Sequence, residues 1–185
     1  VFGADDKAAY AVADQANGDV LYRIGRGNGD GGFDPIAETN GVVSDAQVVN
    51  GTIWYVKDQK EIYKLTPGDN ATPTLVFTAE KGCSLAVGAT HLFCSAEGTL
   101  EQRDLSGANP KALFSEKTSK VPAAYGASQA SGDVVVSMSV GADTTALKNV
   151  LRTVSATGEE KVIACGRDQI ASVAVDGAAV AWIEK

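Results

Sequence analysis

The sequence is short of the residues on which most catalytic and metal sites depend. It has one histidine, His91, and three cysteines, Cys83, Cys94 and Cys165, none in a Cys-x-x-Cys pair. A structural zinc site takes four clustered ligands of these types, so zinc is set aside. Ser/His/Asp chemistry would rest wholly on His91. That residue stands in the strand-like "GATHLFC", where a satisfied strand side chain is expected. Lys and Arg never run longer than a pair and the net charge is −7, so the chain repels phosphate backbones and nucleic acid is not an expected partner. No stretch nears the roughly eighteen consecutive apolar residues of a membrane-spanning helix. No segment combines sustained helical periodicity with capping signals. The chain begins Val-Phe-Gly, so an initiator or targeting segment is expected to have been removed.

Glycine, by contrast, is plentiful: twenty residues against five prolines, in a chain that is 44% hydrophobic. That balance favours short strands joined by tight turns. Five segments repeat a turn followed by an apolar, aromatic-bearing run: "DDKAAYAVADQ", "VVNGTIWYVKDQ", "LAVGATHLFCSAEG", "QASGDVVVSMSV" and "AVDGAAVAWIEK". Their turns fall near Lys7, Gly51, Gly88, Gly132 and Gly177, at separations of 44, 37, 44 and 45 residues. A second series, Gly32, Gly68, Gly107 and Gly158, runs in step between further strand-like stretches. One unit is therefore four strands, A to D, in two hairpins. Units of about forty residues stacked around an axis make a β-propeller. A jelly roll or sandwich would not require this spacing. The predicted fold is an all-β propeller, a single domain of four complete four-stranded blades plus a two-stranded partial fifth. The units are approximately 1–39, 40–78, 79–116, 117–166 and 167–185.

The pieces "IASVAVDGAAVAW" and "NGTIWYVKDQKEIYKLTPG" resemble the short repeats of secreted bacterial β-propellers, including YWTD-type relatives. The resemblance covers nearly the whole chain. It implies the fold and a secreted, periplasmic or cell-surface setting, and it carries no catalytic residues across.

The glycine-rich stretch "GRGNGDGGFDP" (25–35) could be a phosphate loop, a calcium loop or a turn. A phosphate loop must lead into a helix, whereas here the chain is expected to return as a strand. No nucleotide or other cofactor is therefore expected. Asn28, Asp30 and Asp34 offer oxygens for calcium, but an EF-type loop would want another ligand at Gly32, a glycine at Phe33 and a distal Glu. A hairpin turn is the better reading.

In a propeller the B–C loops and D–A links share one end of the blades, the binding face by family analogy. The B–C loops present Asp14, Asp58, Glu97 and Asp143; the D–A links present Lys81, Lys120, Tyr125, Arg167 and Asp168. Exposed loops are charged in any case, so the face as a whole is the prediction rather than any one residue. Tyr10, Trp54, Tyr55, Phe93 and Trp182 recur in strand B and are expected in the core. Asp5 and Asp45 lie near inner-strand starts, but later units place Cys83, Ser128 and Ser172 there, so a glycosidase-like carboxylate pair is not repeated. The expected function is a non-catalytic extracellular recognition or scaffold module with a protein partner. A carbohydrate-binding lectin is the alternative, and a glycoside-active enzyme stands behind it.

Two further expectations concern pairing. If Gly88-Ala89 is a two-residue turn, Val87 faces Thr90 and Cys83 faces Cys94, close enough for a disulfide in an oxidising compartment. The fifth unit stops after its second strand, leaving an apolar edge with Val180 and Trp182. Such edges template association. The blade is expected to be completed by a missing segment of a longer chain or by a partner strand, with a five-bladed ring tolerating a short last blade as the rival.

Overall fold

The computed structural model describes residues 1–25, 32–68, 71–96, 99–115, 124–125, 129–131, 134–143, 148–155, 157–167, 170–176 and 179–184. The chain packs as two compact units, Val1–Glu80 and Lys81–Lys185.

The first unit contains two antiparallel sheets. One is ordered β1 (Gly3–Ala4), β2 (Ala8–Ala13), β3 (Val20–Gly25), β4 (Phe33–Glu38). The other is ordered β5 (Val43–Val49), β6 (Thr52–Lys57), β7 (Glu61–Leu65), β8 (Thr74–Thr78). Each is a four-stranded meander, the blade foreseen from the repeat. The β5–β6 turn shows why the sequence folds here. Val49 faces Thr52 across Asn50 and Gly51, whose φ angles are +50° and +70°. Two successive left-handed residues make the turn whose twist suits a hairpin, and Asn-Gly adopts it most readily. Ile53 to Val56 on β6 are all buried, as in a strand covered on both faces. Between the two sheets, Ala8, Tyr10, Leu21, Ile53, Tyr55 and Leu65 form one core. Burial and the neighbouring Tyr63 and Glu61 push the Tyr55 phenol well above its ordinary pKa. Pro35 lies on β4, the outermost strand of its sheet, where a missing N–H costs no ladder bond.

In the second unit, β9 (Ser84–Val87), β10 (His91–Ala96), β11 (Thr99–Asp104) and β12 (Lys111–Ser115) form a third four-stranded sheet. The fourth sheet departs from the simple pattern. Its innermost position is shared by β13 (Ala124–Tyr125) and β14 (Gln129–Ser131), which pair with opposite ends of the long β15 (Val134–Asp143). β16 (Lys148–Ser155) and β17 (Glu160–Arg167) complete it. β18 (Ile170–Asp176) and β19 (Ala179–Glu184) pair as a two-stranded sheet. The third and fourth sheets share a core of Ala86, Phe93, Leu100 and Val154. The fourth and last share Leu151, Ala164 and Val173, with Trp182 packed against them. The strand-B aromatics Tyr10, Trp54, Tyr55 and Phe93 are buried, and Trp182 is partly so.

The hairpin holding Cys83 and Cys94 differs in register from expectation. Val87 pairs with Leu92 rather than Thr90, so Cys94 faces Leu85. The Gly88 amide donates to the His91 carbonyl at 2.8 Å, which makes Ala89-Thr90 the turn. Cys83 nevertheless forms a disulfide with Cys94, with Cα atoms 5.1 Å apart. Cys83 stands two residues before Leu85, the partner of Cys94, so the bridge runs diagonally across the pair.

Two C–D hairpins are near copies. Asp104 N bonds the Ala108 carbonyl and Gly107 N the Asp104 carbonyl, at 3.1 and 2.9 Å. Ser155 N bonds the Glu159 carbonyl and Gly158 N the Ser155 carbonyl, at 3.0 and 2.9 Å. Gly107 and Gly158 both have positive φ, as a three-residue loop with a glycine bulge requires.

Candidate functional site

The best-defined part of the loop end lies in the first unit, where the D–A link 39–42 passes between two B–C loops. Residues 14–19 form one loop and residues 58–60 the other. The Thr39 amide and hydroxyl both donate to the Asp19 carbonyl, at 3.0 and 2.7 Å. The Asp19 amide donates to the Gly41 carbonyl at 2.9 Å. The Asp19 carboxylate, itself buried, accepts from the Val43 amide at 2.6 Å. One residue earlier, the Asp58 carboxylate accepts from the Val42 amide at 3.0 Å, while the Asp58 amide donates to the Val42 carbonyl at 2.8 Å. Consecutive amides are thus held by carboxylates from two blades. Gly18 is needed for this approach: a side chain there would meet Gly41 N at 2.5 Å, and its φ is +115°.

Beyond this clamp, β5 opens with an irregularity. Val43 pairs with Lys57 and Asp45 with Val56, so Ser44 is extra. A bulge of this kind re-aims neighbouring side chains. It borders a cavity of about 350 Å³ lined by Phe2, Val12, Val43, Ser44, Asp45 and Ala46. Lys57, across from Val43, is committed to Glu61 at 2.8 Å and sits over the Tyr63 ring. The Glu61 bond holds the Lys57 ammonium above its ordinary pKa and the Glu61 carboxyl below its own.

Of the residues expected on this face, Asp14 is exposed in the first B–C loop and Lys81 is exposed in a D–A link. Asp58 is exposed as well, yet its carboxylate is engaged with backbone. Tyr125, Asp143 and Arg167 were expected in loops but belong to strands: Tyr125 pairs with Ser139, Asp143 with Lys148 and Arg167 with Asn149. For Asp143 and Arg167 the reason is that β15 and β17 run longer than their apolar cores suggest, whereas Tyr125 lies on β13, too short to be seen as a strand. Glu97, Lys120 and Asp168 lie outside the described residues. Sequence reasoning passed over Asp19 and Ser44 altogether. The "NGD" around Asp19 reads as an ordinary turn, and nothing local reveals a bond to a strand 24 residues later.

Asn28 and Asp30 also lie outside the described residues, whereas Asp34 is on β4 and pairs with Arg23 at 3.4 Å. β3 and β4 pair antiparallel on either side of the glycine-rich stretch, and residues 26–31 within it lie outside the described residues. His91 opens β10, with its Nδ1 2.7 Å from the Thr90 hydroxyl. Among the described residues no group of three His, Cys, Asp or Glu side chains is arranged to hold a metal, and no helix is long and apolar enough to cross a membrane.

No protein-family model and no curated protein matches the sequence. Solved structures do. A chain of the nidogen/laminin complex matches with a TM-score of 0.70 at 10% identity, covering 95% of this chain and 70% of that one. The computationally designed Ika8 protein matches at 0.58 and 15% identity, covering 95% of this chain and 55% of that one. BamB from Moraxella catarrhalis matches at 0.56 and 11%, covering 97% and 52%. This chain therefore spans about half the length of the latter two. At such identities the likeness is one of fold. Together with the successive antiparallel sheets, it makes this an all-β protein of the β-propeller fold.

Proposed function

We propose that the chain is a non-catalytic extracellular recognition module that binds a protein partner through the loop end of its blades. The observation that carries this reading is the clamp itself. Asp19 and Asp58 fix the backbone of the 39–43 link in advance, beside a cavity, while Asp14 and Lys81 stay exposed. Loops fixed before binding lose less conformational entropy when a partner arrives. The match to a chain of the nidogen/laminin complex supports a protein partner, and the Cys83–Cys94 disulfide supports an oxidising compartment.

Face-specific photo-cross-linking tests the reading. A photoreactive residue is placed at Asp14 or Lys81 on the loop end, or at the exposed Asp6 on an A–B turn. The bait is the extracellular protein fraction of the source organism. The expected result is a discrete adduct from Asp14 and Lys81 and none from Asp6. Equal labelling from all three positions would overturn it. Saturable binding on a glycan array, with no protein adduct, would favour the lectin instead.

A further inference from the structure

We propose that Asn50 is a site of N-linked glycosylation, carrying an oligosaccharide at the end of the second blade away from the clamp. Asn50-Gly51-Thr52 has the Asn-x-Thr pattern of an acceptor, in which the transferase reads the hydroxyl two places after the asparagine. The fold accounts for the first two residues only. Asn50 and Gly51, at φ +50° and +70°, make the turn between β5 and β6, and Thr52 simply faces Val49 across it. The residues that close the corresponding turns elsewhere are His91, whose carbonyl accepts from Gly88, and Ala179, which faces Asp176. A hydroxyl is therefore not demanded by the hairpin.

The surroundings suit a bulky polar addition. Asn50 is exposed at the apex of the hairpin, and a Cβ added at Gly51 would meet nothing within 4 Å. Among the described residues neither the Asn50 side-chain amide nor the Thr52 hydroxyl forms a hydrogen bond, so a sugar on Asn50 displaces no bond of the fold. In the transfer, the Asn50 side-chain nitrogen attacks C1 of an oligosaccharide carried on a lipid pyrophosphate. The C1–N bond forms, the C1–O bond to the pyrophosphate breaks, and the nitrogen gives up one proton as the lipid pyrophosphate leaves. The Cys83–Cys94 disulfide supports passage through the kind of oxidising compartment where such a donor is met. The site needs that passage and does not depend on the protein-partner reading. β6 runs from Thr52 to Lys57, so Asn50 and Asp58 flank its opposite ends, roughly 20 Å apart along the strand. A glycan on Asn50 covers the turn end of this blade and leaves the 39–43 link open.

The test is peptide mass mapping of the full chain purified from its native source, after glycosidase release in H₂¹⁸O, which turns a glycosylated asparagine into ¹⁸O-labelled aspartate. A second triplet, Asn70-Ala71-Thr72, has the same pattern, with Asn70 outside the described residues, so the two peptides are read separately. The expected result is label at Asn50 that requires the glycosidase. Thr52→Val, made in the same host, keeps the Asn-Gly turn and should lose that label completely. An unlabelled Asn50 in the native chain, or label at Asn70 alone, would overturn the proposal even if the variant fails to fold. Equal label without the glycosidase would mark spontaneous deamidation of Asn50-Gly51 and would overturn it too. Photo-adducts from Asp14 that form only once the glycan is removed would overturn its placement away from the loop end.

Discussion

Val43 and Cys83 occupy the same place in successive units, at the start of the innermost strand, yet the two starts are secured by different chemistry. At Val43 the backbone is held by the carboxylates of Asp19 and Asp58, and the strand begins with a bulge. At Cys83 the hold is a covalent bond to the neighbouring strand, and β9 begins without a bulge. The residue facing the second strand is Asp45, opposite Val56, in one case and Leu85, opposite Cys94, in the other. The polar clamp leaves a carboxylate and a cavity at the blade end. The disulfide puts buried apolar surface there instead. One repeat frame thus accepts either solution.

Breaking the covalent hold should have the largest effect. Cys83→Ser closes no loop in the unfolded chain and is expected to cost about 2–3 kcal/mol for a bridge with a sequence separation of 11. Denaturant unfolding with and without reductant measures it, and a reductant-insensitive midpoint in the parent protein would contradict the disulfide. Removing the buried clamp comes next. Asp19→Ala leaves the Val43 amide without its charged acceptor, a loss of roughly 1.5–3 kcal/mol. Hydrogen exchange should show the Val43 amide losing protection first. Asp58→Ala, at an exposed site, should cost less, about 0.5–1 kcal/mol, and speed exchange at Val42 alone. If Asp58→Ala proves the more damaging, the order of the two clamps is reversed.

The smallest effect separates the twin hairpin loops. Asp104 accepts bonds from the amides of Ser106 and Ala108 and from the Asn109 side chain; at the matching place the Ser155 hydroxyl accepts from Glu159 N at 3.0 Å. The bonds from Ser106, Ala108 and Asn109 hold the Asp104 carboxyl below its ordinary pKa. A group depressed in the folded state stabilises fully above its unfolded pKa, near 4, and that contribution fades as pH falls through the lower folded value. Exchange at Ser106 and Ala108 should therefore accelerate, relative to intrinsic rates, below about pH 4. Exchange at Glu159 should not, and Asp104→Ser should abolish the difference.

Much of this architecture was readable because its signals are local. Asn50-Gly51 announces its own turn, and the buried run Ile53–Val56 announces a strand covered on both faces. The cysteine hairpin shows where such reading slips. Gly88 resembles a turn residue, but the turn forms at Ala89-Thr90, and Gly88 stands just before it with its amide bonded to the His91 carbonyl. A hairpin without Asn-Gly offers little to fix its register in advance. The fourth innermost strand was hidden for a similar reason, since β13 and β14 are too short to show a period. The site was the least legible part. Asp45 was visible as a carboxylate near a strand start, but its cavity depends on a bulge at Ser44 and on Phe2 and Val12 from another sheet. No local pattern encodes that meeting.

The placement of tryptophan gives the molecule a built-in optical record of its two units. The chain has two tryptophans, Trp54 in unit Val1–Glu80 and Trp182 in unit Lys81–Lys185. Trp54 is buried with the Lys64 ammonium 5.8 Å from its ring centre, whereas Trp182 is only partly covered. Their emission should therefore differ in colour, and single-tryptophan variants would report each unit separately during one melt. Coincident curves would mark one cooperative structure; separated curves would show that one unit can hold together while the other is lost.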